Sequence, residues 1–394
     1  RRAYTRILEA VEEEIRLFWQ NKLTLMAMSR LWLKNLFTNL RFLSESGDIE
    51  DLATDRPVLV CGAGPSLEGS LDWIRRARSR VNLLSVDTAL PVLGAAEMLP
   101  DWVFSLDAQL YTLQDFLPCR DPRIALLCDL TSNPQSLRLF SDLFFFSTPF
   151  HRLSLFGRLE AASVLPPSLP PRGSVGVSAV EAALSITTGP VLFTGLDFSY
   201  PGNQTHSRGA PFHLGMLQRC TRIEPCGMSA FTTLLARPRL LLRDKADNPL
   251  VTDLVLHSYA AQLRRVTSAS RRIFDLSPFG LPVGGSRVET LTDLLRLCGE
   301  NPGCRTGAPS PPGRFHPEAL RCFCRRELEL LSEVRRSIDN GDPDAAETLA
   351  AAEYLLLPLA EVDPDRILSP GTLARVAGDA GGLSRCLERT LLAL

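Results

Sequence analysis

The sequence predicts an α/β protein. We expect a Rossmann-like, mostly parallel sheet domain flanked by N-terminal helices and a C-terminal helical bundle. Three observations indicate this fold: short apolar runs that alternate with helical patterns, a glycine turn between one such run and a helix, and apolar residues at helical spacing near both ends of the chain. Buried parallel strands have this continuous apolar character because helices cover both faces of their sheet.

The glycine turn is the most informative stretch. Residues 58–60 form a short apolar run that suits a buried strand, and Gly62 and Gly64 follow where the backbone must turn. Pro65 and Ser66 are good openers for a helix, Pro in the first turn and Ser as its cap. Such a corner offers N–H groups and a positive dipole end to an anion, most often a phosphate. The Walker lysine and the third glycine of the dinucleotide fingerprint are absent, so a tight corner without a ligand is the alternative.

Two further predicted strands, 81–86 and 100–105, lead into carboxylates. Asp87 follows the first of them and Asp107 the second. Open α/β sheets bind ligands at the carboxyl ends of their strands, so the two side chains favour a ligand site there. The alternative for each is a helix cap.

A polar loop follows the next strong strand pattern, residues 190–194. After Asp197 the chain offers a hydroxyl in Thr205, a possible acid or base in His206 and a cation in Arg208. A histidine in a loop is often only a solvated side chain. Its position after another strand-end carboxylate makes His206 a catalytic candidate.

Composition excludes several classes of protein. Of the 394 residues, 45% are hydrophobic and 22% charged, which is typical of a globular protein with a large core. The net charge of −1 gives no electrostatic reason to expect nucleic acid as a partner. We expect no transmembrane span and no signal-like start. The ten cysteines match no zinc pattern, which favours reduced thiols in a cytoplasmic protein.

Three segments are expected: an N-terminal helical segment at 1–56, a nucleotide-sugar-binding sheet domain at 57–298 and a C-terminal helical domain at 314–394. Within the first, a second helix is predicted to begin after Asn21, and 44–56 is predicted to be a linker. The remaining predicted strands are 123–128, 143–146 and 272–276, and the remaining predicted helices are 67–78, 135–140, 178–187, 251–265, 316–340, 344–361 and 371–393.

Several ordered motifs carry a family resemblance. They are Cys61-Gly-Ala-Gly-Pro-Ser66, Ser85-Val-Asp87-Thr88, Ser105-Leu-Asp107-Ala-Gln109, Thr194-Gly-Leu-Asp197-Phe and Thr205-His206-Ser-Arg-Gly209. Together they resemble the motility accessory factor (Maf) family of flagellin glycosyltransferases, whose central domain is related to the 6-hydroxymethylpterin diphosphokinase MptE-like group. The resemblance covers about residues 20 to 290. The first and fourth motifs also resemble bacterial sialyltransferases that use CMP-activated nine-carbon sugars.

The resemblance implies a reaction. Maf-type enzymes move a nonulosonic acid, such as pseudaminic or legionaminic acid, from its CMP conjugate to Ser or Thr of flagellin in the cytoplasm. The donor phosphate would lie against the glycine turn. The ribose, the cytosine or the acceptor hydroxyl would lie near the strand-end carboxylates. The carboxylate of the sugar would lie at a second helix start. The binding residues so implied are Gly62, Ala63, Gly64, Pro65, Ser66, Asp87, Asp107, Gln109, Ser174, Gly195 and Thr205.

The resemblance also implies catalytic roles. Glycosyl transfer needs a base on the acceptor hydroxyl and a group that neutralises the departing phosphate. His206 is predicted to fill one of these roles with Asp197 orienting it, and Arg208 or Tyr200 would lie near the phosphate. The identity of the base stays open, with Asp107 as the other candidate. No metal and no cofactor beyond the nucleotide sugar is expected, and an oligomer is compatible with the sequence.

Two other classes of function stay open. An MptE-like pyrophosphokinase would use ATP and magnesium, with Asp87 and Asp107 as metal ligands. A non-enzymatic module that binds flagellin or a chaperone would keep the fold without its ligand.

Overall fold

A parallel β-sheet forms the centre of the molecule. The structure is a computed structural model that describes residues 2–299, 311–342, 345–359 and 369–394. The strands are β1 (Gly47–Asp48), β2 (Val58–Cys61), β3 (Asn82–Val86), β4 (Trp102–Ser105), β5 (Ala125–Asp129), β6 (Leu143–Phe146), β7 (Val191–Thr194), β8 (Arg239–Arg243), β9 (Pro249–Asp253), β10 (Ile273–Asp275) and β11 (Ser286–Arg287). In the described residues, nine of them make the sheet in the order β1-β6-β5-β4-β3-β2-β7-β10-β11, and β8 and β9 form a separate antiparallel ribbon. The predicted fold class is confirmed.

The strand order reverses at β2. On one side β2 pairs with β3, with Cys61 opposite Ser85, and on the other side it pairs with β7, with Cys61 opposite Thr194. Ligands of open parallel sheets bind at such a switch point, outside the carboxyl ends of the strands. The glycine turn therefore lies at the expected position for a ligand site.

Helices cover both faces of the sheet. They are α1 (Arg2–Leu43), α2 (Ser66–Ala77), α3 (Leu90–Ala95), α4 (Leu113–Phe116), α5 (Pro134–Leu137), α6 (Ser154–Ala161), α7 (Val175–Ile186), α8 (Pro211–Arg219), α9 (Cys226–Leu235), α10 (Leu254–Ala269), α11 (Leu291–Leu297), α12 (Pro317–Asp339), α13 (Ala345–Ala351) and α14 (Pro370–Ala393). The predicted middle helix of the C-terminal part, 344–361, is shorter than expected. It is α13 followed by a 3-10 turn at Glu353–Leu356, and its first residue and last two residues lie outside the described part.

The N-terminal part is one continuous helix rather than two. No Gly or Pro interrupts α1, so the polar residues around Asn21 do not break it. Two buried asparagines fix its second half to loops of the sheet. The Asn35 amide donates to the carbonyls of Ala108 and Thr131, both at 3.0 Å, and Asn39 donates in the same way to the loop after β5. α1 therefore helps to hold the loops that follow β4 and β5.

The predicted linker 44–56 contains a strand. Within it, β1 extends the sheet by pairing in parallel with β6. A 3-10 turn at Ile49–Leu52 follows, in which Asp48 accepts from the Glu50 N–H and Asp51 accepts from the Asp48 N–H, both at 2.8 Å. A two-residue strand of Gly and Asp has no apolar alternation, so the sequence pattern did not reveal it.

The apolar core has two parts, one on each side of the sheet. The first includes Val60 and Phe193 of the sheet together with α2, α7 and α10. The second joins the opposite face of the sheet, for example Leu126, to Phe37 of α1 and Leu387 of α14. The helices at both ends of the chain thus share a core with the sheet, and the three-segment division stays a prediction.

Two expectations about the chain's chemistry can be compared with the structure. Cys220 and Cys226 form a disulfide that links the end of α8 to the start of α9, so the prediction that all cysteines are reduced is wrong for this pair. The other described cysteines are free, and Cys304 lies outside the described residues. None of the helices in the described ranges is long and apolar enough to cross a membrane.

The β8–β9 ribbon was not predicted. The expected helix at 251–265 begins later, at Leu254, because residues 249–253 form β9. Asp253 is the N-cap of α10 and accepts from the N–H groups of Val255 and Leu256, each at 2.8 Å. Thr252, which we expected at the helix start, lies in the ribbon instead.

Candidate functional site

The glycine turn after β2 packs directly on the end of β7. A Cβ atom at Gly62 would lie 2.4 Å from the carbonyl oxygen of Gly195, and one at Gly195 would lie 2.0 Å from the carbonyl oxygen of Gly62. Gly195 also has a φ of +71°, in the left-handed region that glycine tolerates. Both glycines are therefore required by a contact between two backbones, whether or not a ligand is bound.

The N–H groups of Gly62, Gly64 and Ser66 are bonded within the protein. Gly64 donates to the Gly195 carbonyl at 2.8 Å, and the Ser66 N–H donates to Asp197 Oδ2, also at 2.8 Å. Asp197 thus supplies the anion that a helix N-terminus favours. Ser66 begins α2 but does not cap it, and its hydroxyl accepts from the Gly195 N–H. Contact between a donor phosphate and the turn stays a prediction.

Asp197 is buried beside a second carboxylate and a lysine. Burial raises its pKa to about 6, although the bond from Ser66 and the charge of Lys245 favour the ionised form. Lys245 comes from the turn of the β8–β9 ribbon and forms a buried ion pair with Asp275 at the end of β10. Sequence reasoning missed Lys245, because a lysine in a polar turn carries no sign that it will be buried.

The polar loop after β7 lies across the glycine turn. The Ser207 N–H donates to the Ala63 carbonyl at 2.8 Å, and the Ser207 hydroxyl lies 2.6 Å from the Gly64 carbonyl. Arg208, predicted to lie near the phosphate, instead forms an ion pair with Glu68 of α2 at 2.6 Å. The loop is held at the switch point by these contacts.

His206 directly precedes Ser207, so its backbone lies near the glycine turn, and its catalytic role stays a prediction. Its ring packs against Phe212 with centroids 5.3 Å apart, and burial lowers its pKa, so the imidazole is neutral at pH 7. Nδ1 of His206 and the hydroxyl of Thr205 are buried without a hydrogen-bond partner in the described part of the chain. Asp197 is not bonded to His206 there, so the predicted orienting contact is not found in this structure.

Tyr200, which the resemblance placed near the donor phosphate, is bonded to Asp253 in this structure. Its hydroxyl donates to Asp253 Oδ2 at 2.6 Å, so it supports the start of α10 instead of a free phosphate position. Burial, followed by the bond to Asp253, raises the pKa of Tyr200.

Three carboxyl groups cluster at the ends of β3 and β4. Asp87 accepts from the Thr88 N–H at 2.8 Å and from the Ser105 hydroxyl at 3.0 Å. Burial and the nearby charge of Asp107 raise the pKa of Asp87 to about 7. Burial also raises the pKa of Asp107. The prediction that Asp87 and Asp107 follow strands at the same edge of the sheet is confirmed by the parallel pairing of β3 and β4.

Asp115 of α4 is the third member of this carboxyl cluster. Burial, followed by the charges of Asp87 and Asp107, raises its pKa to about 8, and its Oδ1 has no partner among the described residues. The sequence did not single out Asp115, because an acid in the first turn of a helix is common. Gln109, predicted near this site, points its amide to the Met28 sulfur of α1 at 3.6 Å.

The carboxyl cluster predicts an unusual dependence of stability on pH. Because the folded-state pKa of Asp115 lies above its ordinary value of 3.8, stability is lost as pH rises from about 4 to about 8. Asp115→Asn should remove part of this loss, worth about 2–4 kcal/mol between those limits. Thermal melts at pH 5 and pH 8.5 should show a smaller fall in Tm for the variant than for the parent chain.

The matched control for this prediction is Asp72→Asn. Asp72 is an exposed carboxyl on α2, with 62% of its side chain accessible, so its removal should leave the pH dependence as in the parent. If the Tm of Asp115→Asn falls as much between pH 5 and pH 8.5 as that of the parent, ionisation of Asp115 does not destabilise the folded state.

The helix predicted at 178–187 begins earlier, as α7 at Val175, and Ser174 is its N-cap without a side-chain capping bond. Two residues on, a Cβ atom at Gly176 would lie 2.4 Å from Leu196 Cδ2, so this glycine is required for packing. Contact between Ser174 and a sugar carboxylate stays a prediction.

The carboxyl cluster does not form a metal site as it stands. Within the described ranges, no three or more His, Cys, Asp or Glu side chains are arranged to hold a metal ion. Both oxygens of Asp87 are already engaged, by Thr88 and Ser105. Proteins usually hold Mg²⁺ with one or two carboxylates together with substrate phosphates and water, so the magnesium ligands of the pyrophosphokinase alternative, Asp87 and Asp107, stay a prediction.

A parallel sheet with a switch point, a glycine turn and polar side chains at its carboxyl edge defines a Rossmann-like α/β fold. The model of the family described as 6-hydroxymethylpterin diphosphokinase MptE-like matches residues 32–203. Residues 32–203 are therefore similar to an MptE-like domain, as the motifs predicted.

The fold of the chain is that of a Maf glycosyltransferase. The solved structure of the MAf glycosyltransferase from Magnetospirillum magneticum AMB-1 matches with a TM-score of 0.50 at 16% identity, over 92% of this chain and 55% of that chain. The present chain thus spans about half the length of that protein. The predicted resemblance to Maf proteins with an MptE-like domain is confirmed.

Two relatives from Treponema pallidum (strain Nichols), both described as uncharacterized, also match. One is 26% identical over 418 residues, which covers 98% of this chain and 72% of the relative. Another is 27% identical over 247 residues, or 54% of this chain and 62% of the relative.

Proposed function

We propose that this protein is a glycosyltransferase that moves a nonulosonic acid from a CMP-activated donor to Ser or Thr of flagellin, in the cytoplasm. The shared fold with a Maf glycosyltransferase supports the transferase class. The sugar, the nucleotide, the acceptor and the compartment rest on the sequence motifs.

The observation that carries the proposal is the position of His206. Its neutral imidazole lies in a loop that Ser207 ties to the glycine turn, and its Nδ1 has no protein partner in the described residues. A neutral imidazole next to the donor site is suited to accept the proton of an acceptor hydroxyl.

The proposed reaction is a single displacement at the anomeric carbon. The acceptor oxygen forms the new bond as His206 takes its proton, and the bond from the anomeric carbon to the phosphate oxygen breaks. CMP leaves with the electron pair of that bond. Donors at the switch point would stabilise the departing phosphate.

The carboxyl cluster would bind the nucleotide. Asp87, Asp107 and Asp115 offer oxygens that can accept from ribose hydroxyls or from the cytosine amino group. Asp107 is the alternative base, because burial raises its pKa towards the range in which a carboxylate accepts protons effectively.

A second candidate is an ATP-dependent pyrophosphokinase, and the description of the matching family favours it. A non-catalytic module that binds flagellin is the third candidate.

Thermal-shift measurements with CMP, CDP and ATP, each with and without magnesium, separate the three. We expect CMP alone to raise the Tm of the parent chain. Asp107→Asn should weaken this shift, whereas Asp72→Asn on exposed α2 should retain it. Stabilisation only by ATP with magnesium would favour the kinase, and no shift with any nucleotide would favour the binding module. Intact-mass analysis of flagellin from a deletion strain would then identify the transferred sugar.

A further inference from the structure

We propose that a second ligand site, separate from the switch point, lies between α1 and α14 and binds a small phosphate-bearing anion. The site is a cavity of about 330 Å³ where these two helices meet residues 354–358. This volume lies within the range of small-molecule sites in proteins, roughly 300–1,000 Å³.

Four cationic side chains line the cavity. Arg30 and Lys34 come from α1, and Arg385 and Arg389 come from α14. Asp379 is the acid among the lining residues, and it accepts from Arg30 Nε at 2.8 Å. The cavity therefore holds a net excess of three positive charges.

Three of these cations are available to a ligand. Within the described parts of the chain, Lys34, Arg385 and Arg389 form no ion pair, whereas Arg30 is paired. Like charges held around one cavity repel each other, and a bound anion would relieve that repulsion. The Arg30–Asp379 contact shows that an anionic oxygen can lie against this wall.

The wall of the cavity is open at two glycines of α14. A Cβ atom at Gly378 would have no neighbour within 4 Å, and one at Gly382 would approach only Arg385, at 4.0 Å. The floor is apolar and includes Leu33, Leu383 and Tyr354, of which Tyr354 is fully buried. The glycines leave room for a ligand, and the apolar floor strengthens charge interactions by excluding water on one side.

The chemistry of the lining selects the ligand. Arginine forks match the paired oxygens of phosphate, and lysine adds a point charge. Three free cations balance the charge of a pyrophosphate or of a phosphate ester with a second acidic group. This site is independent of the proposed transfer reaction, because it shares no residue with the switch point or the carboxyl cluster.

The test uses the whole chain and inorganic pyrophosphate as the probe, with binding followed by calorimetry. The Arg385→Gln, Arg389→Gln double variant removes two of the free cations from the exposed face of α14. The matched control is Arg375→Gln, an exposed arginine of α14 that does not line the cavity. Melting curves without the probe check that all variants are folded.

We expect pyrophosphate to bind the parent chain and to bind the double variant at least about ten-fold more weakly, because two charge-assisted contacts are lost. Arg375→Gln should bind within about two-fold of the parent, since its charge is outside the cavity. Asp107→Asn should also leave binding unchanged, which distinguishes this site from the proposed donor site. Absence of binding to the parent, or equal affinity in the double variant and the parent, would overturn the proposal.

Discussion

Replacing Gly195 with valine should leave the chain unable to fold stably. A Cβ at this position would lie 2.0 Å from the carbonyl oxygen of Gly62, and the φ of +71° disfavours a β-branched residue. Gly62 and Gly195 directly follow Cys61 and Thr194, the last paired residues of β2 and β7, so the two backbones have little room to move apart. We expect a loss of at least about 4 kcal/mol, a large part of the roughly 5–15 kcal/mol that stabilises a typical domain.

The matched control is Gly202→Val, in the loop that follows. Gly202 has a similar φ of +58°, but a Cβ there would meet no atom within 4 Å. Its cost should therefore be limited to the backbone strain, about 1–2 kcal/mol. Denaturant melts should separate the two variants clearly. Equal stability of Gly195→Val and Gly202→Val would show that the two backbones do not pack as closely as described.

The same geometry changes what can be learned from Gly64. A Cβ there would lie 2.5 Å from Asp197 Oδ2 and 2.7 Å from the Gly195 carbonyl. We expected from the sequence that valine at this position would abolish nucleotide binding and leave the fold largely intact. The structure predicts that it also destabilises the fold, so it is a poor probe of ligand binding.

His206→Ala should lower the rate of sugar transfer by roughly 10²–10⁴-fold, the usual contribution of general acid–base catalysis. The loss should fall on kcat with little change in CMP affinity, because a base acts on the transition state. Rates of flagellin modification, with CMP binding measured in parallel, would test this. A melting curve of the variant checks the fold, because the buried His206 ring packs against Phe212.

His257→Ala is the control for the loss of a histidine. His257 lies on α10, outside the polar loop that covers the glycine turn, so transfer should stay near the parent rate. Near-normal modification by His206→Ala would remove His206 from the mechanism and leave Asp107 as the candidate base.

Much of the sheet could be predicted because its strands are buried on both faces. Continuous apolar runs such as 143–146 are recognisable without any partner, and each was followed by turn residues. The elements that were missed have little apolar signal of their own. β1 is only Gly47–Asp48, and β8 of the separate ribbon alternates exposed and half-buried residues.

Site residues that directly follow a strand could be predicted from the sequence. Site residues that are buried by segments distant in the chain could not. Asp87 and Asp107 could be placed at the same edge of the sheet, because the carboxyl ends of parallel strands lie at one edge. Asp115 and Lys245 are brought to the site by a short helix and by a ribbon, and no local pattern marks either as buried. The bonding of Ser66 to Asp197 joins residues 131 positions apart and could not be read from the glycine motif.

The contacts of α1 show which residues a complete sheet domain must include when it is expressed or inherited as a unit. Asn35 and Asn39 donate to four carbonyls of the loops after β4 and β5, and without them each of these carbonyls would lose an amide donor. The MptE-like match begins at residue 32, inside α1 and just before these contacts, rather than at the first strand of the sheet. A fragment that starts at residue 57 would therefore lack a part of the sheet domain, and gene fusions that preserve the domain must carry the second half of α1 with it.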